Sequence, residues 1–287
     1  MVNMDLLLYN PLSKNNKGNI TTHKLVRYYK KNNIPFRLKS IIKIDDTVQF
    51  LKEKDMFHNI ILLGGDGTIN RFVNDIKDYD LKPSIYLKRN GSGNDFLRTL
   101  KHQTINTQEI MQATFDNNQK KLFMNGAGIG IDGLVLQYID QSKNKGKFRY
   151  FINTLKALYN YQPTDSTVWI DGQKKIFKRT YLITANNGKY IGGGMKITPK
   201  ADLSTDELDI IIVHTIPKWL IFFIFITIYL GFHTIFTKYV YTTKANSIKV
   251  KMPKPSIAQL DGEITNNVST LEAYSTQKQI HFQQYKK

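Results

Sequence analysis

The chain is predicted to fold as two domains of different class, an α/β domain on a parallel sheet followed by a mainly antiparallel β domain. Three observations carry this. Apolar, strand-like runs at 5–9 (DLLLY), 36–42 (FRLKSII), 59–63 (NIILL) and 84–87 (SIYL) alternate with helically spaced segments at 21–31, 46–54 and 68–77, the pattern of a parallel sheet covered by helices. After about residue 120 the chain reads instead as strand-like stretches parted by turn signals such as Asp171-Gly172, which favours antiparallel pairing. A length of 287 residues with 41% hydrophobic content is enough for one large domain or two modest ones. The domains are expected at 1–120 and 121–287, with the last residues free to return to the first.

The first run, within MVNMDLLLYNPLSK, carries an early Asp5 and is too short for the apolar core of a secretory signal. It reads as a first strand, and the cytoplasm is the expected location. The second half offers KLFMNGAGIGI, STVWIDG, KKIFKRTYLITANN, LDIIIVHT, NSIKVKMP and SIAQLDGE as strands, with helices at 148–160 and in the apolar block after Lys218. That block holds nineteen residues, Trp219–Thr237, without a Lys, Arg, Asp or Glu, close to the roughly 20 residues of a membrane span. Thr227, Gly231, Thr234 and Lys238 fall at helical spacing and form a weak polar stripe. The stripe favours a buried or interfacial helix, as do the strands of one apparent domain on both sides.

There are no cysteines, so disulfide frameworks and thiolate chemistry are excluded. With 41 Lys and Arg against 23 Asp and Glu, the net charge of +18 implies a polyanionic partner. Nucleotide phosphates, an anionic bilayer and nucleic acid all qualify. The lysines are dispersed and no nucleic-acid-binding motif accompanies them, so nucleic acid is not expected. Homodimerisation is left open.

Chemistry concentrates in two glycine loops. In IILLGGDGTIN, Gly64 and Gly65 follow a strand and Thr68 starts a helix, so bare amides and a helix N-terminus would meet a phosphate. Asp66 would repel a naked phosphate, but suits one accompanied by Mg²⁺, its water or nucleotide hydroxyls. NGSGNDF repeats the logic with Ser92 as a donor and Asn94 and Asp95 fixing loop or metal. Asn10, Pro11 and Ser13, after the first strand, belong to the same rim.

The ordered set YNP, GGDGTIN, GSGNDF, GGGMKITPKADLSTDELD and QLDGE resembles the diacylglycerol kinase catalytic family, in particular bacterial lipid kinases, over nearly the whole chain. The resemblance implies a nucleotide-binding first domain, a β-sandwich-like second domain and ATP-dependent phosphorylation of a lipid hydroxyl, diacylglycerol foremost. For a working kinase, the positive charge and the aromatic-rich 219–236 helix are expected to dock the chain on an anionic membrane surface. Carried over by position, the resemblance gives Asn10, Pro11, Leu12, Ser13, Lys14, Gly65, Asp66, Gly67, Thr68, Ile69, Asn70, Arg71 and Ser92 as ATP contacts, with Ser40 a looser one. Glu263 matches the proton acceptor for the hydroxyl, and Asp261 would lie on the same face if LDGE were extended. ADLSTDELD resembles a structural Mg²⁺ loop, with the Asp206 carboxylate and the Leu203 and Leu208 carbonyls as oxygen ligands.

Three positions depart from the family pattern. Asp206 is followed by Glu207 in place of glycine, Asn70 by Arg71 in place of glutamate, and Thr114 with Asp116 stands where relatives carry an acidic residue two before a glycine. Activity is expected and substrate choice is open. A sphingosine-type lipid is the alternative substrate, and a basic membrane-binding protein with altered catalysis the alternative class. NAD kinase shares GGDGT but lacks the late DGE.

Overall fold

The computed structural model describes residues 4–13, 18–52, 57–101, 107–116, 120–141 and 147–286. The chain divides into two compact units, Met1–Gln108 with Gln279–Lys287, and Glu109–Lys278.

In the first unit, β1 (Met4–Tyr9), β2 (Phe36–Ser40), β3 (Phe57–Gly64) and β4 (Ser84–Arg89) are joined through α1 (Gly18–Lys31), α2 (Thr47–Lys52) and α3 (Asp66–Asp75), with α4 (Asp95–Leu100) after β4. The pairs β1–β2, β1–β3 and β3–β4 all run parallel, giving the order β4-β3-β1-β2. The returning segment Phe282–Gln284 adds a parallel strand beside Ile85–Leu87. Leu6, Leu7 and Leu8 are all fully buried. Successive strand residues face opposite sides, so both faces of the sheet are covered, as parallel sheets require. The run expected to continue to residue 42 stops at Ser40, where Ile41–Lys43 form a 3-10 turn that buries Ile41. At the opposite end of β1, Asp5 accepts hydrogen bonds from Tyr29 Oη (2.8 Å) and Asn59 Nδ2 (2.8 Å). Burial, with the bonds to Tyr285 and Asp5, pushes the Tyr29 hydroxyl strongly upward, so it stays a donor.

The second unit contains most of β5 (Thr107–Phe115), β6 (Lys121–Phe123), β7 (Gly126–Gly130), α5 (Ile131–Asp140), α6 (Lys147–Asn160), β8 (Thr164–Ile170), β9 (Gln173–Asn186), β10 (Leu208–His214), α7 (Lys218–Leu230), β11 (Val240–Ala245), β12 (Ser247–Leu260) and most of β13 (Glu263–Gln284). Its strands pair antiparallel in the order β11-β10-β9-β7-β12-β13, with β8 on β9 and β12. The boundary between the two compact units lies at Gln108/Glu109, because β5 pairs with β6 and β13. One core, including Phe123, Ile183, Ile210 and Leu271, fills one side of this sheet. On the other, α5, α6 and α7 pack Val135, Ala157, Ile224 and Phe225 against Tyr181 and Ile211.

Two hairpins turn on Asp-Gly pairs with both residues left-handed: Asp171 (φ 45°) with Gly172 (79°), and Asp261 (47°) with Gly262 (93°). That geometry matches the twist of the flanking strands. KLFMNGAGIGI forms strands β6 and β7 as read, and helix α5, which starts at its last residue Ile131, lies in a stretch to which the sequence reading assigned no element. Helix α7 ends where Gly231 adopts φ 79°, a left-handed stop. The expected polar stripe through Thr234 and Lys238 therefore does not continue on one helix.

Candidate active site

The carboxyl edge of the parallel sheet carries the first group of predicted residues. Strands β2, β1, β3 and β4 end in a row at Ser40, Tyr9, Gly64 and Arg89, about 14 Å across at about 4.8 Å per strand. Ligands bind at such an edge in open α/β sheets.

The two glycine loops interlock there. A Cβ on Gly65 would stand 2.8 Å from Gly91 Cα and also strike Gly93 O, and a Cβ on Gly91 would stand 2.6 Å from Gly65 N. Only glycine permits this approach, because in each case the obstacle is backbone. The amide of Asp66 donates to Gly93 O (3.3 Å), and the Asn90 amide to Gly64 O (2.9 Å). The Asp66 carboxylate accepts from the amides of Asp95 (2.9 Å) and Phe96 (3.0 Å). It thus satisfies the first amides of α4 and ties the second loop to the first. Asn94 Nδ2 donates to Gly91 O (2.7 Å), and Arg98 Nη1 to buried Asp95 Oδ1 (3.0 Å).

Asn10 joins the rim by donating from Nδ2 to Thr68 Oγ1 (3.1 Å) and accepting the Leu12 amide on Oδ1 (3.0 Å). Ser13 Oγ donates to Asn10 O (2.8 Å). Gly67 lies exposed in the first turn of α3, where a Cβ would meet nothing within 4 Å, and Ser92 is exposed. Both stand open to a ligand. Pro11 is partly buried, Leu12 is exposed, and Lys14 lies outside the described residues. Ile69 is core, and Asn70 accepts from Asn74 Nδ2 (3.1 Å). Arg71 reaches Ile44 O (3.4 Å) and Asp75 (3.7 Å), so its nearest partners are structural. Among the described residues, three buried side-chain oxygens at this edge have no partner: Ser40 Oγ, Asn90 Oδ1 and Asn94 Oδ1. Such atoms are costly to leave unpaired and suit a ligand with hydroxyl or amine donors. Asn90, whose Nδ2 donates to Gly18 O (2.9 Å), is absent from the sequence-derived set. Its place one residue after a strand and before the NGSGN glycines was the available signal.

The DGE segment, in the second unit, is not extended. Asp261 and Gly262 form the β12–β13 turn, with Leu260 opposite Glu263, so the expected shared face of Asp261 and Glu263 does not exist. The Asp261 carboxylate accepts three amides, from Met124 (2.7 Å), Asn125 (2.8 Å) and Gly126 (3.0 Å), while its own amide donates to Gly126 O (3.0 Å). It pins the β6–β7 link to the turn. The Glu263 side chain is 70% exposed, with Lys121 Nζ 3.6 Å from its carboxylate. Gln259 Oε1 accepts the Gly262 amide (3.0 Å), bracing the turn from β12. Behind it, Asp132 Oδ1 accepts the Gly133 amide (2.9 Å). Burial pushes its carboxyl up to about 7, against the opposing pull of that amide and of the Gln259 side chain.

The ADLSTDELD loop places the three oxygen ligands implied by the resemblance as follows. Asp206 is exposed, the Leu203 carbonyl accepts the Glu109 amide (2.8 Å), and Leu208 lies in β10 in register with Ala245. The acidic side chains here gather around a lysine, with Lys244 Nζ 3.6 Å from Glu207 and 4.0 Å from Asp209. Burial raises the Asp209 carboxyl to about 6 although Lys244 opposes the shift, and the Ser204 amide lowers Asp202. Among the described residues no group of three or more His, Cys, Asp or Glu is placed to hold a metal.

Comparison with known proteins matches residues 5–125 to the diacylglycerol kinase catalytic domain and residues 126–277 to the YegS C-terminal NAD kinase beta sandwich-like domain. A diacylglycerol kinase of Bacillus subtilis strain 168 is 30% identical over 231 residues, covering 74% of this chain and 72% of that protein. Provisionally named lipid kinases of Staphylococcus aureus strains JH9 and N315 are 32% identical over 172 residues, so the match spans about half their length (54%). A crystal structure of a provisionally named diacylglycerol kinase from Bacillus anthracis str. Sterne shares the fold, with a TM-score of 0.71 at 21% identity over 98% of this chain and 97% of the other. With both halves of the chain matched in order, and a named relative aligned over most of its length, the chain belongs to the diacylglycerol kinase catalytic family, joined to a YegS-type C-terminal domain.

Proposed function

We propose that the chain transfers the γ-phosphoryl group of ATP to the hydroxyl of a lipid, diacylglycerol foremost, yielding phosphatidic acid, and that it works from the cytoplasmic side. The observation that carries this reading is the interlocked pair of glycine loops, clamped by Asp66 through the Asp95 and Phe96 amides at 2.9 and 3.0 Å. The clamp fixes a stretch of backbone free of side chains at the N-terminus of α3, a place suited to phosphate oxygens.

Each residue then has a separate task. Gly67 and Ser92 offer donors to phosphate, with Asn10, Ser13, Thr68 and Asn94 shaping the rim, and Ser40 and Asn90 offer buried acceptors to nucleotide hydroxyls or amine. Glu263 takes the proton of the attacking hydroxyl as the bond to phosphorus forms and the bond to the ADP oxygen breaks. Asp261 is a positioning residue that holds the turn on which Glu263 stands. Magnesium would neutralise phosphate charge in such a transfer, and no step is assigned to a protein-held ion.

Incubation with radiolabelled ATP and a panel of detergent-dispersed lipids tests the reading. Labelled phosphatidic acid from diacylglycerol is expected. Label in no lipid would overturn the kinase assignment, and label only in a sphingosine-type base would overturn the substrate assignment.

A further inference from the structure

Helix α7 is apolar around its whole circumference, and the protein covers only half of it. Ile221, Ile224, Phe225 and Ile228 are buried against the unit's sheet and α6. On the other side Trp219, Phe223, Ile226 and Leu230 are 67%, 61%, 54% and 62% exposed, and the stripe continues past the Gly231 stop in Phe232 and Ile235, 59% and 69% exposed. The 4, 3, 4 spacing of the helical four puts them along one line of the surface. Continuous exposure of this kind marks an interaction site.

The covering partner must accept apolar side chains and positive charge together. The stripe is flanked by lysine and not by Asp or Glu. Lys218 opens the helix and Lys238 follows the stripe, both exposed. A second copy of the chain would bring the same two lysines against these, within a molecule of net charge +18. An anionic bilayer has both required properties: acyl chains for the stripe and headgroup charge for the lysines. Thirteen residues of helix extend about 20 Å, short of the roughly 30 Å hydrocarbon core. Among the described residues no helix is long and apolar enough to cross a membrane. We propose that the outward face of α7, from Trp219 to Leu230 with Phe232 and Ile235, lies in the headgroup region of an anionic lipid bilayer and anchors the second unit there. This deepens the lipid-kinase reading by supplying the surface from which a bilayer-dissolved substrate is reached.

The chain has two tryptophans, so Trp169→Phe makes Trp219 the sole indole reporter. Mixed with phosphatidylcholine vesicles containing phosphatidylglycerol, full-length W169F is expected to show blue-shifted Trp219 emission that lipids brominated on their acyl chains quench. Neutral vesicles, or high salt, should give weak binding. Trp219→Ser with Phe223→Ser should reduce sedimentation with anionic vesicles by roughly tenfold per side chain, on the burial energy of large apolar groups. Since both residues are exposed, the thermal melt should hold. If the double variant melts early, Trp219→Ser alone replaces it in the same sedimentation assay. Trp219 left unquenched while the protein is vesicle-bound, or undiminished sedimentation of the serine variants, would overturn the proposal. So would a concentration-dependent dimer, seen by analytical ultracentrifugation and lost in the serine variant. Binding is measured without ATP, and activity separately on short-chain dispersed diacylglycerol. Wild-type protein that turns over short-chain diacylglycerol but does not bind anionic vesicles therefore refutes the anchor alone, whereas wild-type protein that binds without turnover refutes the kinase reading alone.

Discussion

Replacing Asp261 by Asn separates a structural carboxylate from a catalytic one. The turn residue sits at φ 47°, a conformation Asn tolerates better than most residues, so the backbone should survive. What changes is the acceptor set. Asp261 Oδ2 accepts the Met124 amide at 2.7 Å, and Oδ1 accepts those of Asn125 and Gly126 at 2.8 and 3.0 Å. The amide side chain keeps one oxygen for one group of donors and turns an NH₂ toward the other. Met124 and Asn125 are buried, and hydrogen bonds to charged acceptors contribute about 1.5–3 kcal/mol each. With one donor left facing a donor, a loss of roughly 2–4 kcal/mol is expected. For a cooperative unit of 170 residues, Glu109–Lys278, that lowers the melting temperature by roughly 5–15 °C. Differential scanning fluorimetry reads the melt, and steady-state kinetics on dispersed diacylglycerol reads the split between kcat and KM. A variant that melts like the wild type yet loses turnover a hundredfold or more would refute the positioning role and return Asp261 to the chemistry.

Glu263→Gln keeps the size of an exposed side chain, so the fold and ATP affinity should hold while turnover falls by roughly 10²–10⁴; near-wild-type turnover would remove it as the proton acceptor. Asp132 predicts a pH dependence. Its folded value of about 7 lies above the ordinary carboxyl value of about 3.9, so between these limits the native state holds a proton that the unfolded chain has released. Wild-type stability should therefore decline from about pH 4 to about pH 7 and level off above, by linkage. Asp132→Asn should flatten that stretch of the urea-midpoint profile, and an unaltered profile would show that another group causes the decline. Lys244 as the cation of the acidic loop predicts that a chelator leaves the melting temperature unchanged, while Lys244→Met costs roughly 0.5–1 kcal/mol, the size of a partly exposed pair. A magnesium-dependent rise in wild-type melting would instead restore an ion to that loop.

The sequence made legible those features that local conformation dictates. GGDG after an apolar run and NGSGN after the next implied two bare turns, because a Cβ at Gly65 or Gly91 collides with the opposing backbone. Asp171-Gly172 implied a hairpin because its left-handed pair suits the turn. What the sequence withheld is where each carboxylate points. Asp66 meets its amide partners 29 and 30 residues away, and Asp261 meets its own 135 to 137 residues away. Separations of that size are set by sheet topology, and no spacing rule records them. The motifs give Asp66, Asp95, Asp261 and Glu263 their roles by resemblance alone, whereas the structure shows which donors each one holds. Asp66 holds two amides, Asp261 three, and Asp95 the Arg98 guanidinium. Glu263 faces the Lys121 ammonium at 3.6 Å from an exposed position. A carboxylate whose oxygens are taken up by two or three amides has a structural task. Within the first unit Asp66 and Asp95 hold the glycine loops, and within the second Asp261 holds the turn that carries Glu263, the residue proposed as proton acceptor.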